Sequence, residues 1–366
     1  MPTTLITGGA GFIGRHVAEE LLSRGHDVRL FDAFVPQVHG DPVRLPDGAQ
    51  LVRGDVRDRD ALDGALKGVD GVIHLAAEVG VGQSMYEVAR YVGANDLGTA
   101  VLLEAIAAAD VGRIVVASSM SIYGEGRYRD AQGAPVAAGL RRSADLKRGD
   151  WEVRGPDGQP LTPEPTAEDK QPDLASIYAL TKYAQERAVL IFADAYGMNA
   201  TALRLFNVFG AGQALSNPYT GVLANFASRV AKGERPTVFE DGRQRRDFVH
   251  VRDVATAFAQ ALEADESGRA LNIGSGRSYS ILDVARMVSE ALGRPDLEPE
   301  VTGRFRAGDI RNCFADISAA EAALGFRPTR RLEDSLTEFA QWVEAETFTD
   351  NGGRMRAELE ARGLVS

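Results

Sequence analysis

Cysteine is almost missing from this sequence: Cys313 stands alone among 366 residues. A single thiol excludes an internal disulfide and any zinc site built from several cysteines, and it fits a reducing compartment. The expectation is a cytoplasmic protein. Histidine is scarce too, and His16, His26, His39, His74 and His250 show no metal-ligand spacing, so no metal is expected. His74 reads as a satisfied core residue. Basic residues are outnumbered 52 to 41, for a formal charge of -11. Such a surface repels nucleic acid and anionic membranes, and neither is expected as a partner. An anionic substrate would need a local cationic pocket. The chain lacks the run of about 18 apolar residues that a membrane helix requires. From Met1 it passes straight into Leu5-Ile6, without the basic and then apolar order of a secretory leader. No internal period or low-complexity tract is present.

What is present is ample apolar content, 44%, enough for one large domain or two interleaved ones. The first part alternates short apolar strands with amphipathic helices. Strands are expected at Thr3 to Thr7, Asp27 to Phe31, Ala49 to Arg53, Gly71 to Leu75, Arg113 to Ser118 and Ala200 to Phe206, with helices at Phe12 to Ser23 and Asn95 to Ala109. Strands separated by helices predict an α/β fold: a Rossmann-type, doubly wound parallel sheet with helices on both faces. Residues 1–206 are expected to form this domain, 207–344 a smaller, partly interleaved substrate-binding region, and 345–366 a charged helical tail. Between Gly124 and about Thr166 the pattern breaks into Gly, Pro and charged residues. A stretch this long without periodicity is a functional loop, a lid or a disordered insertion, assigned to 125–166 within the domain.

The run Thr7-Gly8-Gly9-Ala10-Gly11-Phe12-Ile13-Gly14 falls where the first strand turns into the first helix. There, glycines let backbone N–H groups approach a pyrophosphate. Asp32 follows at the end of the second strand, where a carboxylate accepts hydrogen bonds from an adenosine ribose and repels a 2'-phosphate. The pair points to NAD. Asp55-Val56 and Leu75-Ala76-Ala77 close the next two strands, at the edge where open sheets bind ligands. Asp55 is suited to the adenine amino group, whereas the small Ala76 and Ala77 suit close backbone packing equally well.

Tyr178 and Lys182 lie four residues apart on one helix face. A phenol with its ordinary pKa of about 10 is a poor base at neutrality, and lowering it by roughly three units takes about 4 kcal/mol. A nearby ammonium and a positive nicotinamide ring are sources of the right kind. Such a pair also occurs on ordinary helices. Ser119, in Ser118-Ser119-Met120-Ser121-Ile122-Tyr123-Gly124, ends a strand at the ligand edge, either to bond the substrate oxygen that Tyr178 deprotonates or to cap the loop.

Together, Gly8 to Gly14, Asp32, Asp55, Leu75-Ala76-Ala77, Asn95, Ser119 and Tyr178 with Lys182 resemble the extended short-chain dehydrogenases that epimerise, dehydrate or decarboxylate sugar nucleotides. The resemblance runs from about Thr3 to Val343. It includes Leu205-Phe206-Asn207, Arg246-Asp247-Phe248-Val249-His250-Val251 and Arg306-Ala307-Gly308-Asp309, segments that in the family commonly hold the nucleotide diphosphate. Arg246 and Arg306 would supply the missing local cations. The resemblance implies that carbon 4 of the sugar gives up a hydride to bound NAD while Tyr178 takes the hydroxyl proton, leaving a 4-keto sugar. Dehydratases of the family carry an Asp-Glu pair after the strand-end hydroxyl residue, and the decarboxylases keep a Glu. Met120 and Ser121 stand there instead, which favours a 4-epimerase over a dehydratase, a ketoreductase or a silent NAD-binding regulator. Many similar 4-epimerases carry cysteine pairs, suggestive of a zinc ribbon, inside the insertion; this one has none. Asn95 either holds water or cofactor groups near Tyr178 or caps the following helix. Phe239 either stacks on the nucleotide base or joins the core. The resemblance also implies a homodimer paired through the helices from Asn95 and Tyr178.

Overall fold

A computed structural model describes residues 1–39, 43–217, 219, 221–265, 268–306, 309–346 and 361–362. Seven strands form the central sheet: β1 (Thr3–Thr7), β2 (Asp27–Asp32), β3 (Gln50–Arg53), β4 (Gly71–His74), β5 (Arg113–Ser119), β6 (Asn199–Leu205) and β7 (Arg269–Ile273). They lie in the order β7-β6-β5-β4-β1-β2-β3, all parallel. The order reverses at β1, which has β2 on one side and β4 on the other. Chain segments leaving β1 and β4 therefore diverge and open a crevice at their carboxyl ends.

Successive side chains of a strand face opposite ways, so the adjacent Leu5 and Ile6 enter different cores. Ile6 joins Val17, Leu21 and Phe258 on the face covered by α1 (Phe12–Ser23) and by Val251–Glu263. Leu5 joins Leu62, Leu102, Ile106 and Val189 on the other face, beneath α2 (Arg59–Ala65), α3 (Gly98–Ala107) and α4 (Ile177–Tyr196). A third core, with Phe226, Phe248, Val284, Leu336 and Phe339, lies among helices at Val222–Ala231, Ile281–Ala291 and Leu332–Ala345.

Three expectations change. The sheet does not end with residue 206: β7 and the helix at Val251–Glu263, from the segment expected to bind substrate, complete it and cover one face. An edge strand of five residues has no distinctive pattern until it pairs with β6. The helix expected from Asn95 to Ala109 begins instead as a π-helical turn, Val92–Leu97, which runs into α3. Gly98 packs so closely on Val56 that a Cβ there would lie 2.6 Å from its Cγ2, and the wider turn turns Asn95 into the interior, a common arrangement at functional sites. Finally, the insertion is not an irregular loop. It forms a three-stranded sheet from Arg127–Arg129, Pro135–Val136 and Thr162–Glu164, over a small core of Tyr128, Val153 and Leu161. Strands of two or three residues show no period in sequence. Most of the expected tail, including 347–360 and 363–366, lies outside the described residues.

Candidate active site

The glycine turn between β1 and α1 is required by close packing. Gly8 has φ +68, and a Cβ there would meet Ala76 N at 2.8 Å; one on Gly14 would lie 2.5 Å from Gly8 O. Gly11 is the N-cap and has no side chain to cap α1. The first N–H groups of the helix, at Phe12 and Ile13, thus face the crevice side without a side-chain acceptor, the arrangement that takes a phosphate. Asp32, buried at the end of β2, accepts from Ala10 N at 3.0 Å and Phe34 N at 2.8 Å. The glycine turn and the carboxylate are thereby tied together. His39 Nε2 sits 3.4 Å from Asp32; burial opposes its charge, but the Asp32 carboxylate wins and raises its pKa. This carboxylate at β2 and the uncapped amides fit a dinucleotide with a free 2'-hydroxyl. His39 carries no signal of this contact in the sequence.

Asp55 departs from its expected part. Its Oδ1 accepts from Arg57 N and Nε, both at 2.9 Å, and its Oδ2 from Arg57 Nη2 at 2.5 Å. Most of its hydrogen-bonding capacity serves its own turn, leaving little for an adenine. Its neighbour Val56 is buried beneath Gly98, while Leu75, Ala76 and Ala77 are half-buried along the exit from β4. Ala76 N donates to Thr7 Oγ1 at 3.3 Å, so the two diverging segments are stitched at their origin.

Tyr178 and Lys182 occupy the first two turns of α4. Ser176 caps that helix, accepting from Ala179 N at 3.1 Å, and Ser84 accepts from Tyr178 N at 3.1 Å. Two amides that a helix start leaves unpaired are thus satisfied, which fixes the backbone beneath the phenol. The Tyr178 side chain is buried enough to raise its pKa, while a hydrogen bond with Ser119 works in the opposite direction. Ser119 ends β5 and also accepts from Ser121 N at 3.2 Å and Ser121 Oγ at 3.0 Å. Burial pushes the Lys182 ammonium down to about 7, partly offset by Glu186.

Beneath this pair lies a network that sequence reasoning missed. Lys182 Nζ donates to Gln185 Oε1 at 2.8 Å, and Gln185 Nε2 donates to Thr99 Oγ1 at 2.9 Å. His74 Nε2 lies 2.9 Å from the same Thr99 oxygen, and His74 Nδ1 lies 2.7 Å from Thr7 Oγ1. Burial, reinforced by Lys182, holds His74 neutral with a pKa of about 3. His74 is therefore a satisfied interior residue, as expected, but it joins β1 and β4 to the ammonium. Gln185 three residues after Lys182 was the available signal. Asn95 takes part as well: its Oδ1 accepts from Glu78 N at 2.7 Å and its Nδ2 donates to Thr181 Oγ1 at 2.9 Å. It links the exit of β4 to α4 and does not act as a helix cap.

The remaining residues form pairs. Asn207 donates to Asp247 O at 2.8 Å and reaches Met120 Sδ at 3.8 Å. Arg246 donates to Ile310 O at 2.7 Å and Arg311 O at 3.0 Å, with Asp309 Oδ1 at 3.4 Å. The exposed Arg306 guanidinium lies over the Phe239 ring, 4.4 Å from its centroid, so Phe239 carries a cation and is not a core residue. Asp247, also missed, is fully buried and accepts from Ser275 N, Gly276 N and Ala315 N at 2.6, 3.0 and 3.3 Å. Burial nevertheless lifts its pKa to about 6. Among the described residues no cluster of His, Cys, Asp and Glu could hold a metal.

The signature of the NAD dependent epimerase/dehydratase family matches residues 4–141 and 151–274. A dTDP-L-rhamnose 4-epimerase of Burkholderia thailandensis is 39% identical over 95% of this chain and 96% of its own. A UDP-glucose 4-epimerase of Corynebacterium glutamicum is 33% identical over 94% and 96%. Among solved structures, the UDP-glucose 4-epimerase of Thermus thermophilus in complex with NAD superposes with a TM-score of 0.76 at 29% identity, covering 94% of this chain and all of that one. The glycine turn, Asp32 and the Ser119, Tyr178 and Lys182 group thus lie in a chain that belongs to the NAD-dependent epimerase/dehydratase family.

Proposed function

We propose that this enzyme inverts carbon 4 of a nucleotide-diphosphate sugar, dTDP-L-rhamnose or a related sugar nucleotide, through a 4-keto intermediate. The observation that carries this reading is the turn after Ser119. Met120 is buried against Asn207 and Ser121 hydrogen-bonds Ser119, so neither position offers the carboxyl group that dehydration needs. Glu125, further along, is fully buried and takes hydrogen bonds from Arg311 N at 2.6 Å and Tyr128 OH at 2.7 Å. It has no role left as an acid. The relative of B. thailandensis, a 4-epimerase by name, supports the same reading.

Bound NAD would supply the hydride acceptor and donor that this reaction needs. Gly8, Gly11, Phe12, Ile13 and Gly14 would hold its pyrophosphate and Asp32 its ribose, while Val56, Leu75, Ala76, Ala77, Asn95 and Asp55, the last with what Arg57 leaves of its carboxylate, would shape the rest of its site. Tyr178 removes and restores the proton of the 4-hydroxyl. Lys182 stabilises the phenolate, and Ser119 holds the reacting oxygen. Met120 and Asn207 line the sugar, Phe239 and Arg306 the nucleotide, and Arg246 with Asp309 the diphosphate. Residues 1–206 with the 251–273 return serve mainly the cofactor, and the rest of 207–344 mainly the substrate.

The working unit in this reading is a cytoplasmic homodimer. Val81, Met85, Val88, Val92 and Leu97 are exposed at helical intervals, and Leu180 and Ile191 on α4 are exposed too, an apolar surface that pairing would bury. Sedimentation would read the mass. No helix among the described residues is long and apolar enough to cross a membrane.

The test of the activity is a panel of dTDP-, UDP-, GDP- and ADP-sugars incubated with enzyme and no added reductant. An isomer of unchanged mass is expected; loss of water would identify a dehydratase instead.

A further inference from the structure

The family signature stops at Arg141 and resumes at Trp151, and the two residues reach out of the insertion to two adjoining segments, Arg141 to Glu240 and Trp151 to Phe305. The Arg141 side chain is 3% exposed and donates to both carboxylate oxygens of Glu240 at 2.8 Å, and to Asp309 O at 2.9 Å. Trp151 packs against Phe305 with ring centroids 6.3 Å apart. Glu240 directly follows Phe239, and Phe305 directly precedes Arg306. The insertion therefore grips the immediate sequence neighbours of Phe239 and Arg306, the two residues whose side chains stack on each other.

Glu240 itself carries the mark of being forced into place. It is 1% exposed and has φ +52, a left-handed backbone that a side-chain-bearing residue adopts at a cost. A 2.7 Å bond from Glu240 N to Arg304 O joins its loop to the segment before Arg306. Buried carboxylates are stable only when paired. Two guanidiniums supply the pairing: Arg141, and Arg311, which reaches Glu240 at 3.2 Å and Asp241 at 2.6 Å. Of these, only Arg141 comes from the insertion. Glu125 and Glu152 complete the charged surroundings, at 3.6 Å from Arg141 and 2.8 Å from Arg311.

We infer that the insertion is a fixed wall of the nucleotide end of the pocket, in which Arg141 and Trp151 are positioning residues that set Phe239 and Arg306 for a nucleoside diphosphate. This rests on the sugar-nucleotide reading above. Charge and apolar contact, in place of a metal, make the insertion part of the site. Its residues touch no reacting atom, so they govern which nucleotide is gripped and leave proton transfer to Tyr178.

The experiment measures binding of free dTDP and UDP by titration calorimetry. Arg141→Met combined with Glu240→Gln removes both charges of the pair, while Glu125 keeps its hydrogen bonds from Arg311 N, Asn312 N and Tyr128 OH; the double variant is expected to weaken both nucleotides about tenfold. Trp151→Ala, outside the ion cluster, covers the case in which the double variant does not fold; a loss of about fivefold is expected there. NAD affinity should stay unchanged in both. In a Trp342→Phe background Trp151 is the single tryptophan, and its emission should change when dTDP or UDP is added, a response that a merely structural tryptophan would not give. Unchanged nucleotide affinity in the folded variants, or a silent Trp151, overturns the inference alone. If the unaltered enzyme binds neither these nor GDP or ADP, the sugar-nucleotide reading falls and the inference falls with it.

Discussion

Lys182 and Gln185 are joined by a 2.8 Å hydrogen bond from the ammonium to the amide oxygen, and both side chains are buried. The amide's other end is fixed on Thr99, so the carbonyl cannot turn away. The ammonium thus keeps one anchored acceptor in a place where burial disfavours its charge.

This relationship sets a pH limit. In the proposed mechanism Lys182 supports the Tyr178 phenolate only while protonated, and its pKa is about 7. Activity should therefore fall on the alkaline side as the ammonium is lost. Gln185→Leu removes the acceptor and should move that limb about one unit toward acid, the size of one charge-assisted hydrogen bond. Gln185→Glu adds a negative charge and should move it toward alkali. The pH dependence of kcat/KM checks both signs.

Replacing the proposed base gives a cleaner test. Tyr178→Phe should lower turnover by about a thousandfold and leave melting unchanged, because Ser84 and Ser176 bond the backbone of α4 and not the phenol. Ser119→Ala should cost less, as it removes only one partner of the phenol. Turnover retained by the Phe variant would remove Tyr178 from the chemistry.

Two neighbouring glycines separate packing from cofactor binding. A Cβ at Gly14 would press on Gly8 O at 2.5 Å and on Gly9 Cα at 2.7 Å, all backbone that has no room to yield. Gly14→Ala should destabilise the fold by about 2 kcal/mol and abolish NAD binding. At Gly11 the nearest contact is 3.2 Å, so Gly11→Ala should fold normally and lose only NAD affinity. Thermal melts with and without NAD distinguish the two.

Cofactor choice should turn on Asp32. Phe34, two residues on, lies under the Arg53 guanidinium at 4.3 Å from the ring centroid, and Arg53 is the β3 register partner of Asp32, so a cation stands beside this carboxylate. Asp32→Ser should weaken NAD and shift the preference toward NADP by about tenfold or more. Titration of both dinucleotides reads the ratio.

His74 makes stability depend on acid. Its pKa is about 3 in the fold and about 6.5 in the unfolded chain. Between those values the unfolded state binds the extra proton, so stability is full above about pH 6.5 and is lost as pH falls toward 3. Removing this term by His74→Gln should flatten acid denaturation by up to roughly 4 kcal/mol, measured by urea unfolding at pH 7 and pH 4.

Much of the fold was written locally. Thr3–Thr7 and Phe12–Ser23 coincide with their sequence limits, because a run rich in β-branched residues suits a buried strand and Gly11 marks the start of α1. The cofactor turn and Asp32 were legible for the same reason: their chemistry depends on neighbours in sequence. Tyr178 with Lys182 was legible as a helical pair but was no stronger than many others.

What stayed hidden was whatever depends on partners far along the chain. β7 is a strand because β6 offers it an edge, and Asn95 is interior because Gly98 must approach Val56. Asp55 pointed to adenine in sequence and bonds Arg57 in space. The sequence alone determined the parallel α/β architecture, the glycine turn after β1 and the residue types of the candidate reacting group. Only the tertiary structure decided that Gln185, Thr99 and His74 hold the ammonium, and that Arg141 meets a carboxylate 99 residues away. Hydrophobic period and turn chemistry act over a few residues, whereas buried charges and polar atoms are satisfied by whichever partner the packed layers bring within about 3 Å.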